Sequence, residues 1–148
     1  MVPKLIAADA SQVGQGVVVI PMTSENMSSM SKLDDEVRAT TVQQVDKWST
    51  IVSSRWSHVE HINVLEVRSV HTAIRWVMSH HQSINRRVLL FSDSQVTVAS
   101  IRKGRSSSHT LLRRLRYLSA LLLSSGIRLV VRWIPSEVNP ADEPSRSC

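Results

Sequence analysis

Apolar positions fall along this chain in two patterns, short continuous runs and longer stretches of helical spacing, and their succession sets out the elements. "KLIAADA" and "GVVVIPM" are short β-rich runs separated by "SQVGQG". Gly14 and Gly16 there allow a turn or a close backbone approach, so the three pieces predict a hairpin. From Thr23 to Asp46 the chain is polar, Ser/Thr-rich and weakly periodic, the pattern of a long loop or divergent insertion. "KWSTIVSSRW", Lys47 to Trp56, supplies a third strand through Trp48, Ile51 and Val52. "HINVLEVRSVHTAIRWVMSHH" then places Val67, Val70, Ile74, Val77 and Met78 at three-four spacing, predicting an amphipathic helix with Asn63 as its N-cap.

"RRVLLFSDS" is a compact apolar run bounded by polar residues, the pattern of a buried central strand, and it ends at Asp93. "QVTVASIRKG" reads as a short helix stopped by Gly104. "SHTLLRRLRYLSALLLSSG" reads as a longer one, with Leu111, Leu115, Leu118 and Leu122 on one stripe and Gly126 closing it. "IRLVVRWIP" is a last strand ended by Pro135, and "SEVNPADEPSR" gives a turn and a helical turn from Pro140. The order β-β-β-α-β-α-α-β-α predicts an α/β fold, a mixed central sheet flanked by helices, whose ligands gather at the C-terminal ends of strands. No internal repeat interrupts it. One domain over 1–148 is expected, with 23–56 divergent and 143–148 a tail.

Composition narrows the partners. A chain of 148 residues suits one core, and 42% hydrophobic with 20% charged residues is a globular balance. Eighteen Lys and Arg against twelve acids give a formal charge of +6, which favours a polyanionic partner. Cys148 is the only cysteine, so neither a disulfide framework nor a cysteine zinc site is expected, and a reducing compartment, cytoplasmic or nuclear, fits. No stretch approaches the roughly 18 apolar residues of a membrane span, so no membrane partner is expected. The histidine pairs His58/His61 and His80/His81 flank opposite ends of a helix without ligand spacing to a cysteine, and the four tryptophans fall at positions better suited to packing than to base stacking.

Four acids stand at element ends. Asp9 ends the first strand, Glu66 lies in the first turn of the first long helix, Asp93 ends the buried strand and Asp142 opens the last helical segment. Singly, each is explained by capping or the helix dipole. Glu66 shares a helical face with Val70, Ala73 and Val77, which points it toward the sheet; the Asn63-x-x-Glu66 spacing also permits a capping box. Carboxylates that converge repel unless protonated or neutralised, and an all-oxygen ligand set suits magnesium or manganese. Two such ions about 4 Å apart can activate water and stabilise a departing oxygen in phosphodiester cleavage.

From Leu5 to Arg146 the chain resembles the ribonuclease H domain, especially the form fused to retrotransposon reverse transcriptases. "DASQVGQGVVV" is similar to that family's first strand, "HINVLEVRSVHTAIRW" to the helix bearing its second acid, and "FSDSQVTVASI" and "WIPSEVNPADEPSR" to its third and fourth acidic motifs. The resemblance implies a metal-binding catalytic tetrad of Asp9, Glu66, Asp93 and Asp142 around two Mg2+ ions, with Mn2+ an alternative. Asp9 and Asp93 would be the main metal bridges, Glu66 would serve the leaving 3′ oxygen and Asp142 the attacking water. The implied substrate is an RNA/DNA hybrid cut on its RNA strand to leave a 5′ phosphate and a 3′ hydroxyl, and the implied setting is a reverse transcriptase in a longer polyprotein.

One departure from the pattern is the missing histidine before the last acid, for which Glu137 is a candidate stand-in and His109 a weaker one; it implies slower or differently gated turnover. For the hybrid, Ser94, Gln95, Asn139 and the backbone near Ser11 are candidate contacts to 2′ hydroxyls or the minor groove, with turn and cap roles the alternative. Arg102, Lys103 and Arg105, followed by Arg113, Arg114 and Arg116, form the densest basic stretch and are candidate phosphate contacts. The competing reading is a catalytically weak or inactive retroelement-derived domain that binds nucleic acid. A proofreading exonuclease would show Asp-x-Glu at the first site, where Asp9 is followed by Ala10 and Ser11, and an integrase would lack the early helix acid.

Overall fold

The structure is a computed structural model that describes residues 4–21, 48–79 and 87–148. The loop expected over Thr23 to Asp46 and the pair His80/His81 lie outside the described residues. Strands β1 (Lys4–Ala10) and β2 (Gly14–Pro21) form the expected antiparallel hairpin, and β3 (Ser49–Arg55) extends it. Helix α1 (Ile62–Met78) leads to β4 (Arg87–Ser92), which pairs parallel to β1. Helices α2 (Gln95–Lys103) and α3 (His109–Ser125) lead to β5 (Arg128–Trp133), parallel to β4. A 3-10 turn over Ser136–Val138 precedes the short helix α4 (Asp142–Arg146). The sheet order is β3-β2-β1-β4-β5, a mixed sheet flanked by helices, as the succession of apolar runs predicts.

Because β1 and β4 are central and covered on both faces, they read as unbroken apolar runs. Ile6, Ala8, Val88 and Leu90 face the layer of α1, α2 and α3, where they meet Val70, Ile74, Val77, Val98 and Leu118. Leu5, Ala7, Leu89 and Phe91 face the other way, onto Ile134 and Ala141. Burying each of the Val, Leu, Ile and Phe side chains among them contributes about 1.5–3 kcal/mol.

The hairpin glycines act by close approach. A Cβ on Gly16 would lie 2.6 Å from the Ala141 carbonyl oxygen and 2.7 Å from the Ser145 amide nitrogen, so only glycine lets α4 lie against β2. Within the stretch 143–148, Glu143, Arg146 and Ser147 are exposed, whereas Pro144 and Ser145 are buried and their carbonyls accept hydrogen bonds from Ser53 Oγ (2.6 Å) and Ser11 Oγ (2.7 Å).

The α1 cap also differs from expectation. His61 is the N-cap, its Nδ1 accepting from the Asn63 amide at 3.1 Å, and Asn63 is already helical. Glu66 is then the fifth helical residue, in the second turn, and the capping box that would have occupied it does not form. Its carboxylate is left for the sheet. Helices α2 and α3 start at Ser94 and Ser108 and end at Gly104 and Gly126 with φ of 69° and 68°, the left-handed conformation that glycine adopts without cost.

Candidate active site

Parallel pairing of β1 with β4 sets Ala7 opposite Phe91, and two residues farther along the chain from each stand Asp9, still in β1, and Asp93, just past the end of β4. Register thus delivers two acids to one edge of the sheet. Helix α1 packs on the face of the sheet, and its first turns bring Glu66 to them: one carboxylate oxygen from each of Asp9, Glu66 and Asp93 lies within 4.8 Å of the others. Asp142, at the start of α4, lines the same open cleft of about 580 Å³, together with Ile62 and Arg146. All four predicted acids therefore meet in one place, three as a tight cluster and Asp142 at its rim.

The cluster is electrostatically costly as a set of bare anions. Burial pushes Glu66 up to about 9, with the charges of Asp9 and Asp93 adding to it and a backbone hydrogen bond from Ala10 opposing it. Burial, then the neighbouring Asp93, raises Asp9 as well, against a lowering hydrogen bond from Ser145. Asp93 is likewise raised by burial and eased by the Asn139 amide. Glu66 Oε2 is buried without any hydrogen-bond partner. An orphaned carboxylate oxygen among two other carboxylates, with no nitrogen or sulfur donor in the cluster, fits a hard divalent cation such as Mg2+ or Mn2+.

The expected substrate residues divide. Ser94 and Gln95 open α2 beside Asp93 and line an adjoining cleft of about 460 Å³ with Trp133, Ser136 and Glu137. Ser94 also caps α2, its Oγ accepting from the Thr97 amide at 3.2 Å. Ser11 lines the acidic cleft with Ala10, Gln12 and Val13, and its hydroxyl ties the hairpin turn to α4: it accepts from the Gly14 amide at 3.1 Å and donates to the Ser145 carbonyl. Asn139, expected to reach substrate, is buried and fully used within the protein. Its Nδ2 donates to the Ala8 carbonyl (3.3 Å) and to Asp93 Oδ2 (3.2 Å), and its Oδ1 accepts from the Ala141 amide (3.0 Å). It holds Asp93 in place and ties that acid to β1.

The basic stretch is not at the acids. Arg102, Lys103 and Arg105 follow α2 to its far end, and Lys103 is about 12 Å along the helix axis from Gln95 at 1.5 Å per residue. Arg102 donates through Nε (3.3 Å) and Nη2 (3.2 Å) to the Val131 carbonyl on the outer strand β5, where it covers an otherwise open sheet edge. Lys103 and Arg105 are exposed. Glu137 faces the cleft beside Asp93, whereas His109 begins α3 in another part of the fold.

Four contacts escape sequence reasoning. Arg146 Nε donates to Asp142 Oδ1 at 3.1 Å, a pairing that i,i+4 spacing could have found. Trp133 Nε1 donates to the Asp93 carbonyl at 3.0 Å, and Trp56 Nε1 to the Ser11 carbonyl at 2.9 Å. Ser145 Oγ lies 2.8 Å from Asp9 Oδ2. The last three join residues far apart in the chain and leave no local signal.

No protein-family model matches the chain, and no curated protein does. Solved structures do match. LC11-RNase H1, from a compost metagenome and solved in complex with an RNA/DNA hybrid, superposes with a TM-score of 0.63 over 95% of this chain and 91% of its own, at 17% identity. The N-terminal RNase H domain of a Mycobacterium tuberculosis protein matches with a TM-score of 0.58 at 18% identity, over 99% and 96% of the two chains. RNase H1 from Halobacterium salinarum matches equally well in shape, 0.58, at 12% identity over 99% and 98%. The chain has the RNase H fold.

Proposed function

We propose that this chain is a divalent-metal-dependent ribonuclease H that cuts the RNA strand of RNA/DNA hybrids. The observation that carries the reading is the triad Asp9, Glu66 and Asp93, with oxygens within 4.8 Å and one of them, Glu66 Oε2, unpartnered. Such an arrangement is stable at neutral pH only when protonated or when it holds cations, and phosphodiester hydrolysis is the chemistry that a carboxylate-held metal pair supports. Support also comes from the shared fold of the structural neighbours, one of them solved with a hybrid.

Asp9, Glu66 and Asp93 would hold the metal ions, and Asp142 would complete the set at the cleft rim. When bound, the ions would lower the pKa of an attacking water and neutralise charge on the leaving 3′ oxygen. The chain's own part is positional. Asn139 and the Trp133 indole fix Asp93, α1 presents Glu66, and Ser94 and Gln95 flank the cleft where a ribose would lie. Lys103 and Arg105 would meet the hybrid's phosphates away from the reacting bond and set a salt-dependent, sequence-independent affinity. On the form of its four acidic motifs the chain is read as retroelement-derived, working beside a reverse transcriptase.

The test is a labelled hybrid with Mg2+. The wild-type protein should cut the RNA strand and Asp93→Asn should not; intact RNA with folded wild-type protein would rule the reading out.

A further inference from the structure

Ser145 is the one hydroxyl, among the described residues, that reaches the acid cluster from behind. It is fully buried, with its Oγ 2.8 Å from Asp9 Oδ2 and 2.7 Å from the Asp142 carbonyl. The rest of the residue is fixed: its amide donates to the Ala141 carbonyl at 3.2 Å, its carbonyl accepts from Ser11 Oγ, and its backbone lies against Gly16. With the backbone so fixed, the hydroxyl is left with two acceptors in reach. Its single proton goes either to Asp9 or to the Asp142 carbonyl, and an ionised Asp9 is the stronger acceptor.

We propose that Ser145 is a positioning residue for metal binding: its hydroxyl engages Oδ2 of Asp9 and so holds the other oxygen toward Glu66 and Asp93. The same side chain ties Asp9 to the helix that carries Asp142, so the first and last acids are set by one group. A metal-ligating carboxylate commonly has such an outer partner, and losing it weakens metal binding without removing a ligand. The inference rests on the metal-dependent reading above.

The residue is separable from simple helix packing, because Ser53 anchors the same helix through the Pro144 carbonyl and does not touch Asp9. Mn2+ affinity of the full chain without nucleic acid, measured by electron paramagnetic resonance, should weaken about five- to tenfold in Ser145→Ala. It should stay within about twofold of wild type in Ser53→Ala, even if both lose stability. With hybrid, Ser145→Ala should lower kcat at fixed Mn2+ and leave KM for the hybrid unchanged. Ser145→Cys, a weak donor of similar length, should fall between wild type and alanine, and it decides the question should the alanine variant not fold. Wild-type affinity in the variants, or an equal loss in Ser53→Ala, would overturn this inference alone. Wild-type protein that binds no Mn2+ would overturn the nuclease reading and this inference with it.

Discussion

Replacing Glu66 by glutamine removes a charge and keeps the shape, so it isolates the electrostatic cost of the cluster. In the metal-free folded protein Glu66 titrates at about 9 against an ordinary 4.5, chiefly because it is buried. A folded value above the unfolded one means that the native state holds a proton the unfolded chain has released. The corresponding stability is present in full below about pH 4.5 and is lost as pH rises toward about 9. One proton over the three units from pH 5 to pH 8 corresponds to at most about 4 kcal/mol, and relaxation and water entry reduce it, so about 2–4 kcal/mol is expected. The glutamine variant has no such loss, and its amide can donate to Asp9 or Asp93. Urea unfolding followed by tryptophan fluorescence, in EDTA at pH 5, 6, 7 and 8, should therefore show Glu66→Gln gaining on wild type with each step. Adding Mn2+ at pH 8 should reverse the order, since the wild type binds it better. A stability difference that does not change with pH would refute the reasoning, because it would place the Glu66 carboxylate in water.

Asn139→Ala should cost about 2–3 kcal/mol in urea unfolding, because it strips partners from the buried Ala8 carbonyl and Ala141 amide, and should cut hybrid cleavage at least about tenfold by freeing Asp93. His71 tests the opposite pH limb. Burial lowers it from 6.5 to about 4, its Nε2 lies 2.8 Å from the Arg114 carbonyl, and Arg114, Arg75 and Arg68 all disfavour its charged form. Its contribution is complete above about pH 6.5 and is lost as pH falls to about 4, by about 3 kcal/mol; His71→Gln should flatten that limb in the same unfolding experiment.

What could be read from the chain depended on how local the cause was. The strands β1 and β4 announce themselves because burial on both faces forces continuous apolar runs, and Asp9 and Asp93 stand out as the acids at the ends of those runs. The leucine stripe of α3 and the glycines at its end and that of α2 are equally local. The sequence leaves the start of α1 open because Asn63 and His61 can both accept from an early helix amide; in the structure His61 does so. Asn139 and Arg102 look like substrate contacts by type. Their partners, Asp93 and Ala8 for one and Val131 for the other, lie 29 to 131 positions away, so only the fold shows that both are already engaged.

Crystals soaked in Mn2+ and measured near the manganese absorption edge put the whole reading to one test. Anomalous density should appear in the acidic cleft, touching Asp9, Asp93 and the otherwise unpartnered Oε2 of Glu66. Well-ordered carboxylates with no peak among them, or Mn2+ bound only elsewhere on the surface, would contradict it.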